Sequence, residues 1–156
     1  MIQPAFLQSG DTVLIVNPSG YIPFEKLEQA KSVLTSWGYK VEFGANTQKE
    51  QSYFAGSDVE RLHDLQWAFN HPNAKLIIMG RGGYGLSRII DQIDFSFFNK
   101  HPKWICGFSD VTVLHSHIVQ NWNITTIHGP MCGAFAQETL VMPHMDALQN
   151  IFQGIQ

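Results

Sequence analysis

Five short apolar runs, TVLIV (12–16), KVEF (40–43), KLIIM (75–79), WICGF (104–108) and ITTI (124–127), alternate along most of this chain with stretches of helical period. Runs of this length, rich in β-branched residues and closed by turn residues, read as strands. Residues 23–37 open with Pro23, whose fixed φ suits a first helical turn, and close with Trp37-Gly38, a glycine where the chain leaves the helix. Residues 57–70 begin SDVE, a Ser-x-x-Glu capping box, and end before Pro72. Parallel strands need long crossovers, and those crossovers cover the sheet. The alternation therefore predicts an α/β fold: an open, mostly parallel sheet of flavodoxin or Rossmann type with helices on both faces.

Other features bound the answer. At 156 residues the chain suits one domain, and its 44% hydrophobic and 15% charged residues are ordinary for a folded protein. A formal net charge of −3 without a Lys/Arg cluster gives nucleic acid no electrostatic footprint. The two cysteines, Cys106 and Cys132, sit in apolar contexts without metal-ligand spacing, which fits a reducing cytoplasm. The start, MIQPAFLQSGDT, lacks a basic n-region, and nowhere do about 18 apolar residues run together, so neither signal-peptide export nor a membrane span is expected. Residues 44–56 are the one long polar connection, expected as a surface loop near the strand ends. The tail from about 137 to 156 reads as one more helix leading outward, with no strand after it.

On open α/β sheets ligands sit beyond the carboxyl ends of the strands, which directs attention to NPSG (17–20), GRGGYG (80–85), GFSD (107–110) and HGP (128–130). GRGGYG satisfies G-x-G-x-x-G through Gly80, Gly82 and Gly85 and follows a strand. A dinucleotide site, however, needs an acid about 20 residues on, at the end of the next strand, and WICGF ends without one. A tight structural turn and a cradle of backbone N–H groups for an anion or oxyanion remain beside the dinucleotide reading. Ser109 stands between a strand and a helix, the setting of a nucleophile elbow, but Val111 replaces the second glycine of that pattern. The alternative is that Ser109 or Asp110 merely caps the helix. A nucleophilic serine needs a base. His115 and His117 lie roughly one and a half to two turns down the helix and point away from the hydroxyl. Of the seven histidines, His128 alone is placed near the site by topology, for a direct, structural or substrate-contacting role. Cys106 reads as a small core residue.

The segments GDTVLIVNPSG, YFAGSDVERLHDLQWAFNHPNAKLIIMGRGGYGLSRIIDQIDF, HPKWICGFSDVTVLH and IHGPM, in this order across roughly residues 8–135, closely resemble the N-terminal domain of the LD-carboxypeptidase family. These are serine peptidases that include muramoyltetrapeptide carboxypeptidases and microcin-immunity peptidases. The resemblance implies that Ser109 is the nucleophile and that the backbone N–H groups of Gly83 and Asp110 form the oxyanion hole. Beside that carry-over, Arg81, Gly82, Tyr84 and His128 are expected as substrate-binding residues from their place around the turns; for Arg81, pairing with a substrate carboxylate stands beside a structural salt bridge. The resemblance further implies hydrolysis of the bond to a terminal D-amino acid in murein tetrapeptides during cytoplasmic cell-wall recycling, with no metal or other cofactor, and often a homodimer. The base histidine and its glutamate would lie in a C-terminal domain that no part of this chain matches. Residues 1–135 are then the nucleophile-bearing domain, 136–156 a helix or linker toward the second, and this chain alone is expected to be inactive. Asn17 stands where the family usually has serine, a minor loop departure on this reading. The alternatives are a peptidyl-nucleotide immunity peptidase of microcin type, a non-catalytic peptide-binding module and a dinucleotide-binding domain.

Overall fold

A computed structural model describes residues 1–135 and 142–155. Strands β1 (Thr12–Val16), β2 (Lys40–Phe43), β3 (Ala74–Met79), β4 (Trp104–Gly107) and β5 (Ile127–His128) form one sheet in the order β2-β1-β3-β4-β5, and every pairing is parallel. The α-helices among the described residues are α1 (Phe24–Ser36), α2 (Asp58–Asn70), α3 (Ser96–Lys100), α4 (Thr112–Trp122), α5 (Cys132–Phe135) and α6 (Met142–Gln153). This is the open parallel α/β sheet expected, with the flavodoxin-type strand order.

The chain leaves β1 for β2 on one side, then passes back to β3 on the other. With right-handed crossovers, that reversal sends α1 to one face and α2, α3 and α4 to the other. The core is divided accordingly. Leu14, Val16, Ile77, Met79 and Ile105 pack with Leu65 and Phe69 of α2, Phe98 of α3 and Leu114 of α4. Their strand neighbours Val13, Ile15, Leu76, Ile78 and Cys106 pack on the opposite face with Leu27 and Leu34 of α1, Cys132 of α5 and Phe152 of α6. Both faces of β1 and β3 are covered, which is why these strands read as unbroken apolar runs rather than alternating ones.

The ends of α2 show how local chemistry sets an element. Ser57 Oγ accepts from the Glu60 N–H while the Glu60 carboxylate accepts from the Ser57 N–H, so the capping box is formed. At the other end, buried Lys103 donates from Nζ to the carbonyls of Ala68, Phe69 and His71 at 3.2, 3.0 and 2.7 Å. An ammonium there meets carbonyls at the helix end, where few intrahelical donors remain, although Ala68 O also accepts from the His71 N–H. Burial pushes the Lys103 pKa down to about 8.

Two expectations change. The fifth strand forms at Ile127–His128 rather than 124–127, because Ile124 is taken up by the N-terminal arm: the Ile2 N–H donates to Asn123 O at 2.7 Å and the Thr125 N–H to Ile2 O at 2.8 Å. The tail helix α6 does not lead outward. Leu148 and Phe152 are buried on the α1 face, with Phe152 6.3 Å from the Trp37 ring and its carbonyl accepting from the Leu7 N–H. Its apolar side finds partners on this same sheet. The boundary expected between residues 135 and 136, and the tail start near 137, fall at residues 136–141, outside the described residues. Among the described residues, no helix is long and apolar enough to cross a membrane.

Candidate active site

The turns after β1, β3 and β4 lie side by side because their strands are neighbours in the sheet. Phe108 is extended at φ −147°, and Ser109 then adopts φ +61°, the left-handed region. For a serine that conformation costs about 1–2 kcal/mol relative to the right-handed one. A short 3₁₀ turn, Ser109–Val111, runs directly into α4, and neither it nor α4 begins with a side-chain capping hydrogen bond. The capping role open to Ser109 and Asp110 is thus not realised, and Ser109 is left exposed on a sharp bend.

The glycine-rich turn packs onto that bend. A Cβ on Gly82 would lie 2.9 Å from Ser109 Cβ and 3.2 Å from both Ser109 Oγ and Phe108 O, so glycine is required for this approach. Gly83 takes φ +110°, and the Tyr53 hydroxyl occupies the space a Cβ would need. The turn is tied to its other neighbour by the Gly20 N–H, which donates to Gly82 O at 3.1 Å.

Two charged side chains lace these turns together. The Asp110 carboxylate accepts from the Ser19 hydroxyl at 2.6 Å and from the Leu86 N–H at 2.9 Å, both through Oδ2. Arg61, 1% exposed on α2, donates from Nη1 to the carbonyls of Pro18 and Gly85, pairs through Nη2 with Asp58, and lies 4.9 Å above the Phe54 ring. Burial lowers its pKa and the Asp58 carboxylate opposes that shift. Arg61 went unnoticed in the sequence, although an arginine in line with Leu65 and Phe69 on the apolar face of a helix was a usable signal. Asn17 is no peripheral loop residue. It is buried, donates to Thr47 O at 2.8 Å, and its Oδ1 fills the space beside Gly80. The 44–56 connection lies near the strand ends as expected, with the Ala55 N–H donating to Ser19 O and the Tyr21 N–H to Tyr53 O.

The other expected residues surround this centre. Arg81 donates from Nη1 to Tyr21 O at 2.7 Å and stacks over Tyr53, 5.5 Å from the ring; among the described residues it makes no salt bridge. Tyr84 is exposed, 6.1 Å from Phe54 between ring centres. His128 pairs in register with Gly107, and its ring is 6.3 Å from Phe108 and 6.1 Å from His115. His115 is committed elsewhere, with Nε2 2.9 Å from Gly107 O, a carbonyl that can only accept, so Nε2 donates; burial lowers its pKa. Cys106 is buried and its thiol is pushed up to about 12 by burial, which fits its core role. An open pocket of about 280 Å³ beside Phe108 is lined by Tyr21, Ile22, Lys26, Arg81 and Met131, an apolar floor with two cations at its rim. Among the described residues no group of three or more His, Cys, Asp or Glu side chains is gathered to hold a metal.

Residues 13–129 match the LD-carboxypeptidase N-terminal domain family. A probable murein peptide carboxypeptidase of Bacillus subtilis is 40% identical over 129 residues, covering 83% of this chain and 40% of that protein. The crystal structure of an MccF-like protein from Bacillus anthracis superposes with a TM-score of 0.90 at 27% identity, covering 98% of this chain and 47% of that one. That of muramoyltetrapeptide carboxypeptidase from Oxalobacter formigenes gives 0.79 at 30% identity, covering 90% and 47%. The chain therefore spans less than half the length of these relatives. By its matched domain and its sheet, the chain belongs to the LD-carboxypeptidase family.

Proposed function

We propose that this chain is the nucleophile-bearing part of a cytoplasmic serine LD-carboxypeptidase that removes the terminal D-amino acid from murein tetrapeptides. The observation that carries the reading is Ser109: an exposed serine held at φ +61° on a strand-turn-helix bend, with a glycine turn packed against it. In this reading Ser109 Oγ attacks the amide carbonyl at the L-centre and a base takes its proton. The oxyanion is met by the backbone N–H groups of Gly83 and Asp110, the latter in the opening helical turn, where N–H groups have no intrahelical partner. The D-amino acid leaves with a proton, and water then releases the acyl group from Ser109. Arg81, Gly82, Tyr84 and His128 would contact the substrate, and the two cations at the pocket rim suit its terminal carboxylate.

His115 is bonded to Gly107, and the exposed His128 has aromatic neighbours but no carboxylate to orient it among the described residues. A base and its acidic partner from further polypeptide fit the relatives, which are more than twice as long as the matched segment. A second reading, cleavage of a peptidyl-nucleotide antibiotic as in microcin immunity, is favoured by the likeness to the MccF-like protein, and the two differ in substrate rather than in the role of Ser109. The test is release of D-alanine from a murein tetrapeptide and of the aminoacyl group from an aminoacyl-sulfamoyl nucleoside, assayed with the polypeptide that carries this domain and its expected second half. D-Alanine release that disappears in Ser109→Ala is the expected result. Binding of either compound without turnover would instead make this a binding module.

A further inference from the structure

Ser109 holds a conformation that serine disfavours, so something beyond its own side chain must keep it there. The next residue provides the tie. Asp110 Oδ2 accepts from Ser19 on the turn after β1 and from Leu86 at the end of the turn after β3. Arg61 grips the residues immediately before these two, taking the carbonyls of Pro18 and Gly85. An anion thus holds the donors at 19 and 86 while a cation holds the acceptors at 18 and 85. Ser19 and Arg61 are almost wholly buried, so water does not readily replace either set of bonds.

We propose that the Asp110 side chain is a positioning residue for Ser109: its carboxylate locks the turns after β1, β3 and β4 into one unit and so fixes the serine against the glycine cradle. This rests on the reading of Ser109 as the nucleophile, and it adds a side-chain role to the backbone N–H already assigned to Asp110. Both bonds converge on one oxygen, so what matters is an acceptor at that point. Asparagine can place its amide oxygen there, whereas alanine cannot.

Two measurements test this. In the polypeptide carrying both halves, Asp110→Ala should lower kcat by about 10²-fold, the scale of a 1 Å misplacement, with KM changed far less, and Asp110→Asn should recover most of the loss. In the 156-residue chain, amide hydrogen exchange at Leu86 should quicken by about 10-fold or more in Asp110→Ala, as befits loss of a charge-assisted bond, while amides of β1 and β3 keep their protection. Ser19→Ala removes one arm only and should shift both readouts the same way by less, which covers the case of an Asp110→Ala chain that does not fold. Unchanged kcat in Asp110→Ala, an Asp110→Asn variant as impaired as Asp110→Ala, or unchanged Leu86 exchange in both Asp110→Ala and Ser19→Ala overturns the proposal. If Ser109→Ala keeps its activity, the nucleophile reading fails instead, and the exchange data alone decide whether the clamp exists.

Discussion

Gly82→Ala probes the contact on which the site depends. The added methyl would sit 2.9 Å from Ser109 Cβ and 3.2 Å from Phe108 O, and neither is the tip of a flexible side chain. Ordinary carbon contacts lie near 3.5–4.0 Å, so the turns must part by roughly 0.6–1 Å. Gly82 is not at a positive φ, so the penalty is steric rather than conformational. Overpacking of this kind costs about 1–3 kcal/mol, which for a domain of this size lowers Tm by roughly 2–4 °C per kcal/mol. Thermal unfolding of the chain followed by circular dichroism measures it directly. Gly133→Ala is the control, because its nearest neighbour is the terminal Ile22 methyl at 3.2 Å, which can rotate away; a change within about 1 kcal/mol is expected there. In a polypeptide that joins this domain to the proposed second half, Gly82→Ala should also lower kcat by about 10²-fold. Wild-type Tm and kcat in Gly82→Ala would refute the packing of the glycine turn on Ser109.

Ser109→Gly should leave the chain as stable as the wild type or up to about 1 kcal/mol more stable, since relief of the left-handed strain outweighs glycine's added chain entropy; a loss of about 1 kcal/mol or more in urea unfolding would restore a capping role. Lys103 has a folded pKa of about 8, depressed from 10.5 by burial, so the unfolded chain binds more protons between those values and stability should rise with pH across that window, by at most about 3 kcal/mol because the three carbonyl acceptors favour the ammonium. Urea unfolding of wild type and Lys103→Met from pH 7 to 10 isolates this, and a difference independent of pH contradicts it. The 156-residue chain by itself should release no D-alanine from a tetrapeptide above background, since a serine without a base is a poor nucleophile; turnover of about 1 s⁻¹ would place the base within these residues, with His128→Ala the first variant to make.

What the sequence revealed and what it concealed divide along physical lines. The alternation of TVLIV and KLIIM with capped helices implied the parallel sheet, because covered strands must be apolar on both faces. GRGGYG and GFSD could be placed near one another, since their strands end on the same side. The nucleophile-elbow pattern pointed to a sharp turn at Ser109, while its positive φ is visible only in the structure. The clamp was not legible: Asp110 looked like a helix cap because its partners, Ser19 and Leu86, are 91 and 24 residues away. Arg61, Asn17 and Lys103 escaped for the same reason. Each buries a polar group that reaches backbone atoms of distant turns or helix ends, Arg61 in addition to its neighbour Asp58, and backbone atoms carry no residue identity to be read in advance. The inward fold of α6 was hidden because an amphipathic helix does not state which apolar surface it will cover.

If Ser109 is the nucleophile, acyl trapping shows it most directly. A polypeptide that joins this domain to the proposed second half, acid-quenched during turnover of an LD-peptide ester, should yield on mass spectrometry a peptide containing Ser109 heavier by the mass of the acyl group, and Ser109→Ala should show neither adduct nor turnover. An adduct on another residue, or undiminished hydrolysis by Ser109→Ala, would contradict it.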